Sequence, residues 1–249
     1  MKKSIGIIGS SGRMGQLISQ AIQQEGLYDL GIGFHQNSDN DIHKVFSNND
    51  FIIDFSSHKL IPDIINAATK NPKPMAICTT GWDFEQYRSD IEKIALTSPV
   101  IIASNTSLGA NLQRYLSAIL AKALDDNYDI DIIEKHHRNK IDIPSGTATS
   151  LLQEIQQAKK SEFSSDYKSF HLTHGPRPKN FIGMHVERAG NIFGEHEITF
   201  INESESISIK HTAFNRELFA NGVLKIIKWL DQPIRKPGIY SMNDVLNLR

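Results

Sequence analysis

The sequence predicts an α/β fold: a doubly wound, parallel-sheet dinucleotide-binding domain joined to a smaller α+β domain. Three observations carry this expectation. Over the first hundred residues, short unbroken apolar runs alternate with amphipathic segments, the pattern of a parallel sheet covered on both faces. The first run ends in Gly9-Ser10-Ser11-Gly12-Arg13-Met14-Gly15, a glycine loop leading from a strand into a helix. Beyond Asn105 the texture changes to segments of alternating polarity, which read as antiparallel strands.

Taken in order, Ser4–Ile8 is the first strand. Met14, Leu17, Ile18, Ala21 and Ile22 then recur at helical spacing and give one buried face. Strands follow at Leu30–Phe34, Phe51–Phe55, Met75–Thr80 and Val100–Ser104, with helices near Ile61–Thr69 and Phe84–Leu96. A helix over Leu108–Leu124 leads to a strand starting at Asp129, and Ala148–Ile155 is helical. Lys159–Lys168, polar and rich in Ser and Lys, reads as loop. Phe181–Glu187, Glu195–Ile201 and Ser206–His211 are the antiparallel candidates, the last two joined by an Asn202–Ser204 turn. Leu218, Phe219, Val223, Ile226, Ile227 and Leu230 close the pattern as an amphipathic helix.

Composition narrows the function. A formal net charge of −1 gives no global field to attract nucleic acid or an anionic membrane. The one cysteine, Cys78, excludes an internal disulfide and any paired-cysteine zinc site. No apolar run approaches the ~18 residues that span a bilayer, and Met1-Lys2-Lys3 runs straight into a strand, which predicts a cytoplasmic enzyme without a signal peptide.

The most informative stretch is Glu134–Thr147, E-K-H-H-R-N-K-I-D-I-P-S-G-T. A strand leads in and a helix leads out, so backbone N–H groups and the positive end of a helix dipole gather there. With Lys140 and the imidazoles of His136 and His137, such a site can hold an anion and move a proton. Ser145, Gly146 and Thr147 can grip a carboxylate at the helix N-terminus, or serve as an ordinary N-cap. Neighbouring strand residues face opposite ways, so His136 and His137 need not both reach a ligand. Arg138 and Asp142 read as a supporting charge pair. No metal is expected: neither His136-His137 nor His171-x-x-His174 has carboxylates or thiolates at ligand spacing. His171 and His174 read as solvent-facing, and His185, His196 and His211 as packed strand histidines.

In the first domain, ligands of a parallel sheet sit at the carboxyl ends of strands. That places the glycine loop beside Cys78-Thr79-Thr80 and Ala103-Ser104-Asn105-Thr106. The loop spacing, Gly-x-x-Gly-x-x-Gly, differs from the commoner dinucleotide fingerprint and is also compatible with a turn that tolerates glycines. Where an acid about 20 residues on would select against a 2′-phosphate, this chain has His35 and Gln36. His35 could donate to a ribose or a phosphate, or simply end the strand.

The Glu134–Thr147 segment resembles the substrate motif of the 4-hydroxy-tetrahydrodipicolinate reductase (dihydrodipicolinate reductase) family, E-x-H-H-x-x-K-x-D-x-P-S-G-T, with every named position filled. The glycine loop G-x-x-G-R-M-G, Arg188–Gly190, Gly194–His196, His211–Ala213 and Phe219–Gly222 extend the likeness over most of the chain. The resemblance implies a reductase using NADPH and/or NADH on a cyclic imine dicarboxylate, with His136 as proton donor and Lys140 as second catalytic cation. It implies His137, Ser145, Gly146 and Thr147 at the substrate, and Gly9, Ser10, Ser11, Gly12, Arg13 and Met14 at the cofactor, with Arg13 near its phosphates. Cys78, Thr79, Thr80 and Ala103 to Thr106 would hold the nicotinamide half, although Cys78 replaces a family glycine and Thr106 a phenylalanine. The implied domains are 1–106 plus 216–249 for the dinucleotide and 107–215 for substrate binding and oligomerisation, assembled as a homotetramer. Another two-domain NAD(P) dehydrogenase, or a nucleotide-sensing paralogue without turnover, is the alternative.

Overall fold

A computed structural model describes residues 1–159 and 176–248. Two compact units divide the chain: Met1–Leu108 with Arg216–Arg249, and Gly109–Asn215.

The first unit is built on a six-stranded parallel sheet. Its strands are β1 (Ser4–Ile8), β2 (Asp29–Leu30), β3 (Phe51–Asp54), β4 (Met75–Ile77), β5 (Pro99–Ile102) and β10 (Gly238–Tyr240), in the order β10-β5-β4-β3-β1-β2. Every strand alternates sides, so one apolar run feeds two cores. Ile5, Ile7, Ile53 and Ile101 pack under α1 (Arg13–Glu25) and α7 (Glu217–Leu230), through Ile18, Ile22, Val223, Ile226 and Ile227. Ile8, Ile52, Met75 and Val100 pack under α2 (Ile42–Asn48), α3 (Ile61–Lys70) and α4 (Phe84–Ala95), through Val45, Phe46, Ile64, Ile91 and Ile94. The chain order reverses between β1 and β3, which makes the carboxyl ends of these two strands the crevice for a ligand.

The strand expected at Leu30–Phe34 is cut short. Only Asp29 and Leu30 pair with β1, and Phe34 rejoins through a single bridge to Ile8. Between them the Gly31 amide still donates to the Ile5 carbonyl, while the Ile32 carbonyl turns to the Asn49 side-chain amide at 2.9 Å. Helix α2, strand β10 and α8 (Met242–Val245) add to the expected elements, being too short to show a clear period in the sequence. The expected C-terminal helix, α7, docks on the first unit.

The second unit carries α5 (Leu108–Ala123, whose first residue belongs to unit 1), β6 (Asp129–His136), α6 (Gly146–Ala158), β7 (Ile182–Arg188), β8 (Gly194–Ile201) and β9 (Ser206–Ala213), with sheet order β7-β6-β8-β9. Strands β8 and β9 form the expected hairpin, its turn held by Asn202 Oδ1, which accepts from the Ser204 and Glu205 amides. Strand β7 corrects the expectation: it runs parallel to β6, not antiparallel. A helix-containing crossover separates the two, and only adjacent antiparallel strands can close through a tight turn. Ile130, Ile132, Leu151, Leu152, Ile155, Ile182, Met184, Ile198 and Phe200 form the core beneath α6. Of the expected Lys159–Lys168 loop, Lys159 caps α6 and the remainder lies outside the described residues, as do His171 and His174.

The join of α7 to the sheet is intolerant of a side chain at Gly222, where an added Cβ would come 1.7 Å from the Thr106 carbonyl oxygen. Alanine normally stabilises a helix interior by roughly 1 kcal/mol over glycine, but backbone cannot yield as a side chain does. Gly222→Ala is expected to lower stability by about 1–3 kcal/mol, read as a fall in melting temperature; an unchanged or raised value would refute the close packing.

Candidate active site

Alternation along β6 puts Ile130, Ile132, Glu134 and His136 on one buried face, and the last two form the floor of the site. Glu134 is fully buried and His136 is 7% exposed. Pairing brings Arg188 of β7 opposite His136 and His196 of β8 opposite Glu134. Arg188 donates to Glu134 Oε1 at 2.8 Å and to the Asp142 carbonyl at 2.8 Å. The Nε2 of His196 lies 3.7 Å from Glu134 Oε2, and the Nδ1 of His136 lies 3.6 Å from the same oxygen. The two imidazoles meet edge to face with centroids 5.2 Å apart.

Helix α6 starts directly over this carboxylate. The Ser145 amide donates to both Glu134 oxygens at 3.1 Å, while Ser145 Oγ caps the helix by accepting from the Ala148 amide at 3.2 Å. That hydroxyl also sits 3.1 Å from His196 Nε2. Gly146 is exposed with open space where a side chain would stand, and the first turn holds no acid to cancel the positive helix end. His137 lies just past the strand, half-buried. Lys140 Nζ forms a two-pronged pair with Asp142, 2.8 Å to each oxygen. This corrects the expected pairing of Asp142 with Arg138, which is exposed and anchored by its amide to the Gly190 carbonyl at 3.2 Å.

These surroundings set the protonation states. Burial would raise the Glu134 carboxyl, but the donors His196, Ser145 and Arg188 and the Arg188 charge outweigh it and hold it at about 2. Burial lowers the His136 imidazole, and the charges of His196, Lys140 and Arg188 add to this against the pull of Glu134, leaving it at about 4. Asp142 is held below the usual carboxylate range, mainly by its bond to Lys140. At neutral pH a charged Glu134 therefore stands beside a neutral His136.

In the first unit the candidate cofactor residues gather at the carboxyl edge of the parallel sheet. Gly9 has φ of 91°, and an added Cβ there would meet the Phe55 carbonyl oxygen at 2.4 Å; one on Gly15 would meet the Gly9 oxygen at 2.2 Å. Gly12 is the N-cap of α1 with no side-chain cap bond and no acid in the first turn, so the helix end suits a phosphate. Ser11, Gly12 and Arg13 are exposed, whereas Met14 packs partly against the core. The Gly9 and Ser10 amides both donate to the Phe34 carbonyl, which brings His35 beside the loop. Cys78 and Thr79 are buried at the end of β4, with the Cys78 thiol pushed well up by burial, and Thr80 is exposed. Ala103 and Thr106 are buried, the latter bonded to the Phe219 carbonyl at 2.9 Å, and Ser104 is exposed. This glycine cradle fits a dinucleotide.

Sequence reasoning assigns no role to Glu134, although its place two residues before His136 on an alternating strand is a usable signal. It reads His196 as strand packing, and Arg188 only as part of a motif; their placement depends on strand register. Glu134, His136 and His196 also bring ligand atoms within 4.8 Å of one another, a grouping the sequence spacing conceals. Buried Asp54, at the end of β3, escapes the sequence too: it accepts from the Ser56 amide and hydroxyl, and the Ser56 amide also donates to Thr79 Oγ1 at 2.9 Å.

A parallel sheet with a glycine loop at its switch point, together with an imidazole–lysine site at a helix N-terminus, defines a nicotinamide-dependent oxidoreductase. The sequence matches the families described as dihydrodipicolinate reductase, N-terminus, over residues 3–106, and dihydrodipicolinate reductase, C-terminus, over residues 109–246. It is 44% identical to the 4-hydroxy-tetrahydrodipicolinate reductase of Chlamydia caviae, over 95% of this chain and 96% of that protein. Identity to the protein of that name from Brachyspira hyodysenteriae is 38%, over 96% and 98%. In fold it is similar to a dipicolinate-bound dihydrodipicolinate reductase from Paenisporosarcina sp. TG-14, with a TM-score of 0.77, 21% identity and full coverage of both chains. The chain belongs to the dihydrodipicolinate reductase family.

The depressed His136 has a consequence for stability. Between its folded value of about 4 and its ordinary 6.5, the unfolded chain binds a proton that the folded chain refuses. Stability must therefore fall as pH drops from 6.5 to 4, by at most about 3 kcal/mol. Glu134 adds a second loss below its ordinary 4.5, towards 2. Melting curves between pH 7.5 and 4 should be flatter for His136→Asn than for the parent; parallel slopes would refute a neutral buried imidazole.

Proposed function

We propose that this chain catalyses the NAD(P)H-dependent reduction of 4-hydroxy-tetrahydrodipicolinate to tetrahydrodipicolinate, with loss of water, in diaminopimelate and lysine biosynthesis. The observation that carries the proposal is the convergence of His136, Lys140 and the α6 N-terminus on one site in the second unit. A cyclic imine with two carboxylates asks for that set: cations and N–H groups for the dianion, and an acid for the ring. When bound, the reduced nicotinamide supplies hydride to ring C4. His136 then delivers a proton to C3, and Lys140 exchanges Asp142 for a substrate carboxylate. Gly146 and Thr147, with the helix end behind them, take a carboxylate, and His137 and Ser145 flank it. Glu134 and His196 have metal-ligand spacing from His136, but Glu134 already accepts from Arg188 and Ser145, which favours a proton site, and the reaction needs no metal.

Gly9, Ser10, Ser11, Gly12, Arg13 and Met14 would contact the cofactor, with Arg13 near its phosphates, His35 would donate to the adenosine ribose or its phosphate, and Cys78 to Thr80 with Ala103 to Thr106 would hold the nicotinamide half. The units at Met1–Leu108 with Arg216–Arg249 and at Gly109–Asn215 take the dinucleotide and substrate roles respectively. No helix among the described residues is long and apolar enough to cross a membrane, in keeping with a cytoplasmic enzyme. The second sheet ends in β7 on one side and β9 on the other, and such edges would permit pairing of copies into a homotetramer.

The test is oxidation of NADPH, and separately NADH, by the protein with freshly generated 4-hydroxy-tetrahydrodipicolinate. Turnover should occur, and His136→Asn and Lys140→Ala should each lower kcat by roughly 10²–10⁴-fold; undiminished variants would refute these two roles. With no acid in the place of His35, NADPH should give a kcat/KM at least equal to that of NADH, and a strong NADH preference would refute this.

A further inference from the structure

We propose that Glu134 is a positioning residue for the reduction, fixing His136 as the Nδ1–H tautomer, serving as counter-ion when Nε2 takes up a proton, and tying the donor to the anion-binding turn of α6. This rests on the reading of His136 as proton donor.

The geometry leaves His136 one acceptor. Among the described residues its Nδ1 is buried without a hydrogen bond, and Glu134 Oε2 stands 3.6 Å away. On the other side of the ring, Gly194 leaves Nε2 clear: an added Cβ would lie 3.1 Å from it. The remaining charged or titratable groups acting on the imidazole are His196 on β8, Arg188 on β7 and Lys140 in the following loop; His211 of β9 stands one strand further, opposite His196. The charges of His196, Lys140 and Arg188 oppose a second proton on His136, and Asp142 is engaged by Lys140. Among the described residues, Glu134 is the group facing the ring that favours it. A carboxylate this buried persists only when fully paired, and its pairing to Arg188 and to the Ser145 amide keeps it charged and immobile.

The cycle balances simply. Neutral His136 carries a proton on Nδ1. The arriving dianion adds the negative charge that lets Nε2 accept a proton from solvent, Glu134 neutralises the Nδ1–H edge, and the Nε2 proton passes to ring C3. The imidazole ends neutral, as it began. Because the same carboxylate holds the Ser145 amide, a shift of α6 on binding is felt at His136.

Nitrogen NMR of histidine-labelled protein at pH 7, with His136 assigned by its loss in His136→Asn, reads the tautomer without altering Glu134. Protonated Nδ1 and bare Nε2 are expected, and an Nε2–H tautomer would overturn the proposal. In kinetics, Glu134→Gln should move the alkaline limb of the kcat–pH profile down by about one unit or more, with kcat at pH 7 reduced about tenfold or more and the KM for the imine changed by less than about threefold. Glu134→Asp should restore part of the shift. A limb that stays in place while activity falls would leave Glu134 a purely structural residue and overturn the proposal. If His136→Asn retains full activity, the proton-donor reading itself falls, and this inference with it.

Discussion

The second unit is organised around one buried charge. Glu134 on β6 is reached by Arg188 from β7, by His196 from β8 and by the Ser145 amide from the start of α6, so a single carboxylate joins three strands to a helix end. Unpaired, a carboxylate with no exposure would cost several kcal/mol to keep charged. The Arg188 side chain and the amide together remove that penalty, and they can do so only if β7 runs parallel to β6 and α6 begins at Gly146. Fold and site thus constrain each other through the same bonds.

The first unit depends on a different constraint, that of close backbone approach. Gly9 and Gly15 stand where side chains would strike the Phe55 and Gly9 carbonyl oxygens, so the loop turns over the ends of β1 and β3. The two faces of the sheet are sealed by separate apolar clusters, leaving its carboxyl edge as the place where polar groups gather. Asp54 shows the cost of that arrangement. Its carboxyl is raised by burial despite the bonds from Ser56 and Thr79, and it orders the turns at the ends of β3 and β4.

Local features are legible in the sequence and pairings are not. The glycine loop, the β6 alternation and the Ser145 cap follow from spacing and residue type within a few positions, and each stands where those rules place it. The direction of β7 does not follow, because its period of two is the same in either orientation. Nor does the partnership of Arg188 and His196 with Glu134, residues 54 and 62 positions apart along the chain, since only register brings them opposite β6. The partner of Asp142 is hidden for a simpler reason: two cations lie within four residues of it, and the turn closed by the Lys140 amide on the His137 carbonyl selects the nearer one.

Magnitudes separate the two cations of the site. Arg188 pairs with a fully buried partner, and breaking such a pair costs about 3–5 kcal/mol, so it is fixed whatever binds. Lys140 pairs with Asp142, whose side chain is 59% exposed, and pairs of that kind contribute about 0–1 kcal/mol. A dianion offering two carboxylates can displace Asp142 at little cost, and the freed carboxylate returns to water. The site thus holds Lys140 in a weak pair and Arg188 in a strong one. The fixed charges of Arg188 and Lys140 also disfavour a second proton on His136, and in the proposed reaction the charge that would reverse this balance is the one the substrate carries.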